Sequence, residues 1–304
     1  MAIVTINDTT LNAIADAIRV KTKATDTLKP SEMAAAIESI KAGGDINSII
    51  DRSIVVFEND EIDTIGKYAF RGCQNLTTVN VPNVKTLDNY AFNDCDVLVT
   101  VNAPKVETIG DYTFDSCQVI SNVDFPNLTT LGMYGFYMDR NLLTVNAPKL
   151  TTIGKSSFCR CTKLTKVDFP LATTIGREAF YGCEALEEIC FPNVTTIDAY
   201  TFSYCDNLMK ADFESLTSIT GTSGTGAFGG CANLVALILR SETMCSLASV
   251  NALTNTPIAS GTGYIYVPAA IIEEYKADSI WSTFANQFRA IEDYPDICEK
   301  EEAM

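Results

Sequence analysis

From about residue 50 to residue 245, apolar and polar positions follow a fixed order that restarts every 22 residues. Leu76, Val79 and Val81 are apolar, while Thr78 and Asn80 lie between them and face the other way. That alternation predicts a short β-strand with one buried side. Pro82 closes the strand, because proline cannot donate to a ladder. Val84 and Leu87 resume an extended, inward-pointing path. A turn follows at Gly66, Gly110, Gly132, Gly154 and Gly176, with Asp88 and Asp198 as turn-tolerant replacements. Ala69, Phe70 and Cys73 then fall at helical spacing, which predicts one short helical turn to return the chain.

Three residue types keep this beat together. Phe70, Phe92, Phe114, Phe136, Phe158, Phe180 and Phe202 stand 22 residues apart, and Phe228 follows after 26. Proline recurs from Pro82 to Pro192, with Glu214 in the next place. Cysteine recurs at Cys73, Cys95, Cys117, Cys161, Cys183, Cys205 and Cys231, with Asp139 substituting once. The four extra residues fit the Gly/Thr/Ser run Thr220–Gly226, which reads as a loop insertion. The unit is L-x-x-V-x-[VAF]-P-x-[VL]-x-T-[IL]-G-x-x-A-F-x-x-C. A single unit cannot bury its own apolar face, so stacked units must share one core. With parallel strands about 4.8 Å apart, some nine coils make an α/β solenoid about 40 Å long.

The flanks leave the pattern. Leu11, Ile14, Ala15 and Ile18 share one helical face, as do Met33, Ala36, Ile37 and Ile40. Residues 1–44 therefore read as a helical hairpin, ended by Gly43-Gly44. A hairpin of this size is too small to stand alone. It caps the solenoid, self-associates or attaches to a partner. Residues 45–263 form the solenoid and residues 264–304 a C-terminal cap with an acidic tail. In the cap, Tyr266 and Val267 extend the sheet while Ile271, Tyr275, Trp281, Phe284 and Phe288 cover the last coil. Terminal coils need such covers, since an exposed parallel edge invites aggregation.

Composition narrows the function. The chain contains no histidine, which removes Ser-His-Asp and Cys-His nucleophile pairs and histidine-ligated zinc. Its net charge of −16 argues against nucleic acid and anionic lipid. No apolar run is long enough to span a membrane, and the amino terminus lacks the basic start and apolar core of a secretory signal. No carboxylate pair stands out from the repeat, so no catalytic residue and no cofactor is expected. Cysteines lie in a ladder without C-x-x-C pairs, which predicts buried thiols acting as small hydrophobes rather than disulfides or a metal site. Cys190 falls outside that ladder and should face the concave sheet.

Outward strand positions form two columns on the expected concave face. One holds Asn80, Asn102, Asp124, Asn146, Asp168, Cys190 and Asp212; its neighbour holds Thr78, Thr100, Asn122, Thr144, Lys166, Glu188 and Lys210. Regular amides, hydroxyls and charges there suit hydrogen bonding to a protein or a glycan, or form a merely solvated ladder. Asp124 and Asp168, two coils apart, make a poor calcium cage. Tyr68, Tyr90, Tyr112, Tyr134 and Tyr200 form a further column, suited either to recognition or to shielding the core edge.

The repeat resembles the BspA-like, or Treponema-type, leucine-rich repeats, and Tyr264-Ile265-Tyr266-Val267-Pro268 with Glu273, Glu274, Tyr275 and Trp281 looks like the end cap of that family. This resemblance implies a solenoid with a parallel concave sheet used for adhesion or recognition, and no catalytic residues. The stretches Thr10–Arg19 and Leu28–Ile37 look like an amino-terminal module of phage tail-associated proteins in gut Firmicutes. That second resemblance implies a virion component that binds a protein or glycan on a host surface and leaves the cell by lysis. The alternatives are a bacterial surface adhesin and a purely structural spacer.

Overall fold

A computed structural model describes residues 54–298 apart from 222, 223 and 225. The hairpin expected in residues 1–44 and the first residues of the solenoid lie outside the described residues. Each coil contributes a long strand, typified by Thr78–Asn80, and a short one, typified by Thr86–Leu87. Long strands pair in parallel with a one-coil register, Val79 opposite Val101, and short strands do likewise, Leu87 opposite Ile109. The long-strand face has three strands from Val56–Glu58 to Thr100–Asn102, then eight from Asn122–Asp124 to Phe288–Ala290. The short-strand face has six strands from Thr64–Ile65 to Thr174–Ile175 and three from Thr196–Ile197 to Ser246–Leu247.

The third side corrects the expected helical turn. It is a run of tight turns in which Tyr68 and Gly72 adopt left-handed backbone, φ 62° and 67°. Reversing the backbone twice in five residues aims alternate N–H groups along the stack. The N–H groups of Tyr68, Phe70 and Gly72 donate to the carbonyls of Asn89, Ala91 and Asn93 at 3.1, 2.8 and 2.7 Å. A helix would have spent those donors within its own coil. Left-handed backbone costs an L-residue about 1–2 kcal/mol, which this third inter-coil ladder offsets.

Glycines before these turns serve close approach rather than turn geometry. Gly154 has no positive φ, but a Cβ there would run into the backbone of Gly132 in the previous coil.

Between the faces the Phe column is fully buried, with Phe70 and Phe92 rings 5.4 Å apart and 3° from parallel. Neighbouring pairs repeat this stack through Phe202 and Phe228 at 5.4 Å. Ladder cysteines stay thiols, but they are more than small hydrophobes. Cys95 donates to the Phe70 carbonyl at 3.0 Å and Cys161 to the Phe136 carbonyl at 3.0 Å, each one coil back. Asp139 occupies the same place, fully buried, and neither of its carboxylate oxygens has a hydrogen-bond partner.

Tyr264–Val267 pairs with Ala236–Leu239, and Phe288–Ala290 pairs with Tyr264–Val267. Tyr275 and Trp281 are buried over the last coil. The indole N–H donates to the Cys245 carbonyl at 2.7 Å, and the Cys245 N–H donates to the Tyr275 hydroxyl at 2.8 Å. The end of the stack is thereby sealed by aromatic rings whose polar atoms are satisfied. At the start of the acidic tail, Pro295–Cys298 forms one helical turn, and Tyr294 lies edge-on to Tyr266 at 5.5 Å.

Candidate functional site: the long-strand face

Alternation decides what this face presents. Val79, Val101, Val123 and Val145 point into the core, so their strand neighbours must point out. Thr100, Asn102, Asn122, Asp124, Thr144, Asn146, Lys166, Asp168 and Glu188 are exposed, as predicted from their strand positions, whereas Thr78, Asn80 and Lys210 are half-buried. Register places them side by side: Thr78 opposite Thr100, Asp124 opposite Asn146, and Glu188 between Lys166 and Lys210. Cys190 is exposed on the same face, opposite Asp212.

Part of the polar array is spent on itself. The Asn102 amide donates to Asn80 Oδ1 at 2.7 Å, and the Asn146 amide donates to Asp124 Oδ1 at 2.7 Å. Thr144 donates to Asn122 Oδ1 at 2.6 Å. Each such bond orients one side chain by its neighbour in the next coil. Asp124 is thus held by an amide, and no group of three or more metal-ligating side chains gathers among the described residues.

Asp212 departs from the expectation. It is 3% exposed and accepts two hydrogen bonds from Arg240, Nε to Oδ1 at 2.8 Å and Nη2 to Oδ2 at 2.7 Å. Its strand partner is Ile238, and Ile238 and Tyr266 continue the outward column as buried apolar residues with Ala236. Arg289 lies 4.2 Å over the Tyr264 ring beside them. The C-terminal cap therefore covers the outer side of the last strands, and the open face ends near Cys190 and Lys210. Arg240 holds, after the insertion, the position that proline fills in earlier coils, so the outward columns alone could not reveal it.

A second omission matters more for recognition. The residues preceding the Thr column include Val55, Val99, Leu143, Met209 and Val235, all exposed, Val99 at 49% and Met209 at 43%. They form an interrupted aliphatic stripe along the base of the polar array. The available signal was an apolar residue at a position that Thr77, Ser121 and Thr165 hold in other coils.

On the third side, Tyr68, Tyr90, Tyr112 and Tyr134 stack on one another at 4.9, 4.7 and 4.5 Å. Lys67 and Arg71 lie over Tyr68, and Lys155 over Tyr134. Ser156 and Glu178 interrupt the column before Tyr200, and both keep its left-handed backbone.

The repeats match the family described as BspA type leucine-rich repeat region, in six copies over residues 52–161 and 129–245. The chain belongs to this BspA-type family. Its fold is similar to solved bacterial repeat proteins. One is the leucine-rich repeat protein of Treponema pallidum, 23% identical, TM-score 0.40, covering 42% of this chain and 62% of that one. The chain thus spans less than two thirds of that relative. A leucine-rich cell surface protein of Faecalibacterium prausnitzii is 18% identical, TM-score 0.42, covering 83% of each chain. The pneumococcal vaccine antigen PcpA is 17% identical, TM-score 0.47, covering 78% of this chain and 68% of that one. No curated protein matches the sequence. The match to BspA-type repeats stops short of residues 1–44.

Proposed function

We propose that this BspA-type chain is a non-enzymatic recognition protein whose long-strand face binds a protein or a glycan on a cell surface. The observation that carries the reading is the open face itself: oriented amides and hydroxyls such as Asn102 and Thr144 beside exposed Val99, Leu143 and Met209. Hydrogen-bonding groups fix orientation and the adjacent aliphatic groups supply burial, the combination found at recognition surfaces. A spacer has no need for it. Residues 1–44, with their resemblance to a phage tail-associated module, would mount the solenoid on a virion. A bacterial surface adhesin is the alternative.

Labelled full chain is added to intact cells of gut Firmicutes, and retention is compared with the double variant Val99→Lys, Leu143→Lys and with Asn102→Ala, Asp124→Ala. Retention lost in both variants supports a binding face. Retention unchanged in both assigns the solenoid to spacing. Immunodetection on purified phage particles, against protease shaving of intact producing cells, separates the virion from the adhesin.

A further inference from the structure

On the third side, where the tyrosine stack has given way to Ser156 and Glu178, one coil leaves a gap. The second left-handed position of each turn carries a side chain at Met138, Arg160 and Tyr204, φ 62°, 64° and 59°, but Gly182 stands between the last two. A Cβ at Gly182 would sit in ordinary contact with Arg160, 3.7 Å from its Cγ, with no clash. The result is an open cleft of about 360 Å³. Arg160 and Tyr204 form its walls and Tyr181 lies against Tyr204, edge-on at 5.3 Å. An edge-on pair leaves a ring face uncovered for a further flat group.

The charges in the cleft are sorted. Arg140 and Arg160 lie toward one end, and neither guanidinium joins an ion pair among the described residues. Glu184 and Asp206 lie toward the other, in the column that runs from Arg140 at 22-residue intervals. Arg140 to Asp206 is three coils, about 14 Å at strand spacing. Two unpaired guanidinium forks match a carboxylate, and exposed carboxylates accept from hydroxyls. A tyrosine face suits a sugar ring between them.

We propose that this cleft is a glycan subsite for a terminal carboxylated sugar followed by neutral ones. The sugar carboxylate meets Arg140 and Arg160, a pyranose ring lies against Tyr181 or Tyr204, and hydroxyls of the following sugar donate to Glu184 and Asp206. The site is on a different side of the coil from the long-strand face, so it stands independently of the reading above.

The test is titration of the full chain with 3′-sialyllactose, with lactose as the neutral probe and sulfate as a bare anion. Sialyllactose binding at least tenfold tighter than either control is expected. Arg140→Ala with Arg160→Ala should weaken it at least tenfold, and Gly182→Tyr should abolish it by filling the gap. Tyrosine at 182 takes on the left-handed strain of about 1–2 kcal/mol that Tyr204 already bears in the next coil, so a cooperative melting curve lowered by only a few degrees checks that the fold persists. Val99→Lys, Leu143→Lys should leave this binding intact, which separates its failure from that of the long-strand face. No binding, equal binding of lactose or sulfate, or binding that survives Gly182→Tyr overturns the proposal.

Discussion

The Cys117 thiol donates to the carbonyl of Phe92, one coil back, at 3.2 Å. This bond ties the cysteine column to the phenylalanine column in every coil where both residues occur in succession. Burial pushes these thiols up, Cys117 well above the ordinary range, and it also raises Cys159, outside the ladder, to about 11. Thiolate is the reactive form, so the ladder should be inert in the native state. In a Cys298→Ser background, a thiol-reactive dye should show a fast phase at Cys190, removed by adding Cys190→Ser, and reach the ladder thiols only with denaturant. Cys117→Ala should lower stability by about 1–2 kcal/mol through the lost bond and the void.

Asp139 should make the solenoid less stable as pH rises. Burial raises its carboxyl well above the usual range, and the Asp115 charge acts in the same direction. The folded state then holds a proton that the unfolded chain has released above about pH 4. Stability from this group is full below that pH and falls as pH rises toward the folded value, by up to about 1.4 kcal/mol per unit. Asp115, pushed up to about 6 mainly by burial, adds a decline of the same sign confined to the window between about 4 and 6. Urea unfolding from pH 4 to 8 should show the decline, and Asp139→Cys should flatten it. A decline that persists unchanged in Asp139→Cys would refute this assignment.

Breaking the Asp212–Arg240 pair should be costly. Its side chains are 4% and 18% exposed, and Arg240→Ala would leave a buried carboxylate without its two donors. The expected loss is about 3–5 kcal/mol. Asn102→Ala, on the open face, should cost less than about 1 kcal/mol. Denaturant midpoints of the two variants test the contrast.

Phe136→Ala should cost about 3–5 kcal/mol, because the ring stacks between Phe114 at 5.0 Å and Phe158 at 5.6 Å. Hydrogen exchange should rise most in the coils that touch it, since each coil contacts only its neighbours.

Light scattering on the full chain should give a defined oligomer, and a shortened chain beginning at Asp45 should give a monomer. That outcome fits residues 1–44 as an assembly module. Two monomers, the shorter less stable, would make the segment a cap.

The sequence by itself determined the period, the strand register and the identity of every core column. Phe70 to Phe228, the valines at Val79 and Val101 and the ladder cysteines repeat because each coil must bury the same face against the next. Which strand residues point outward followed from the same alternation, and so did most of the open polar face. Only the tertiary structure decided what passes between coils. Tyr68 and Arg160 in left-handed backbone read in sequence as ordinary helix formers, because the bonds that hold them go to another coil. Asp212 looked like its column mates until Arg240, at the position proline holds in earlier coils, folded onto it. The cleft at Gly182 is likewise a relation among three coils: its glycine is ordinary in its own turn, and becomes a gap only because Arg160 and Tyr204 stand on either side.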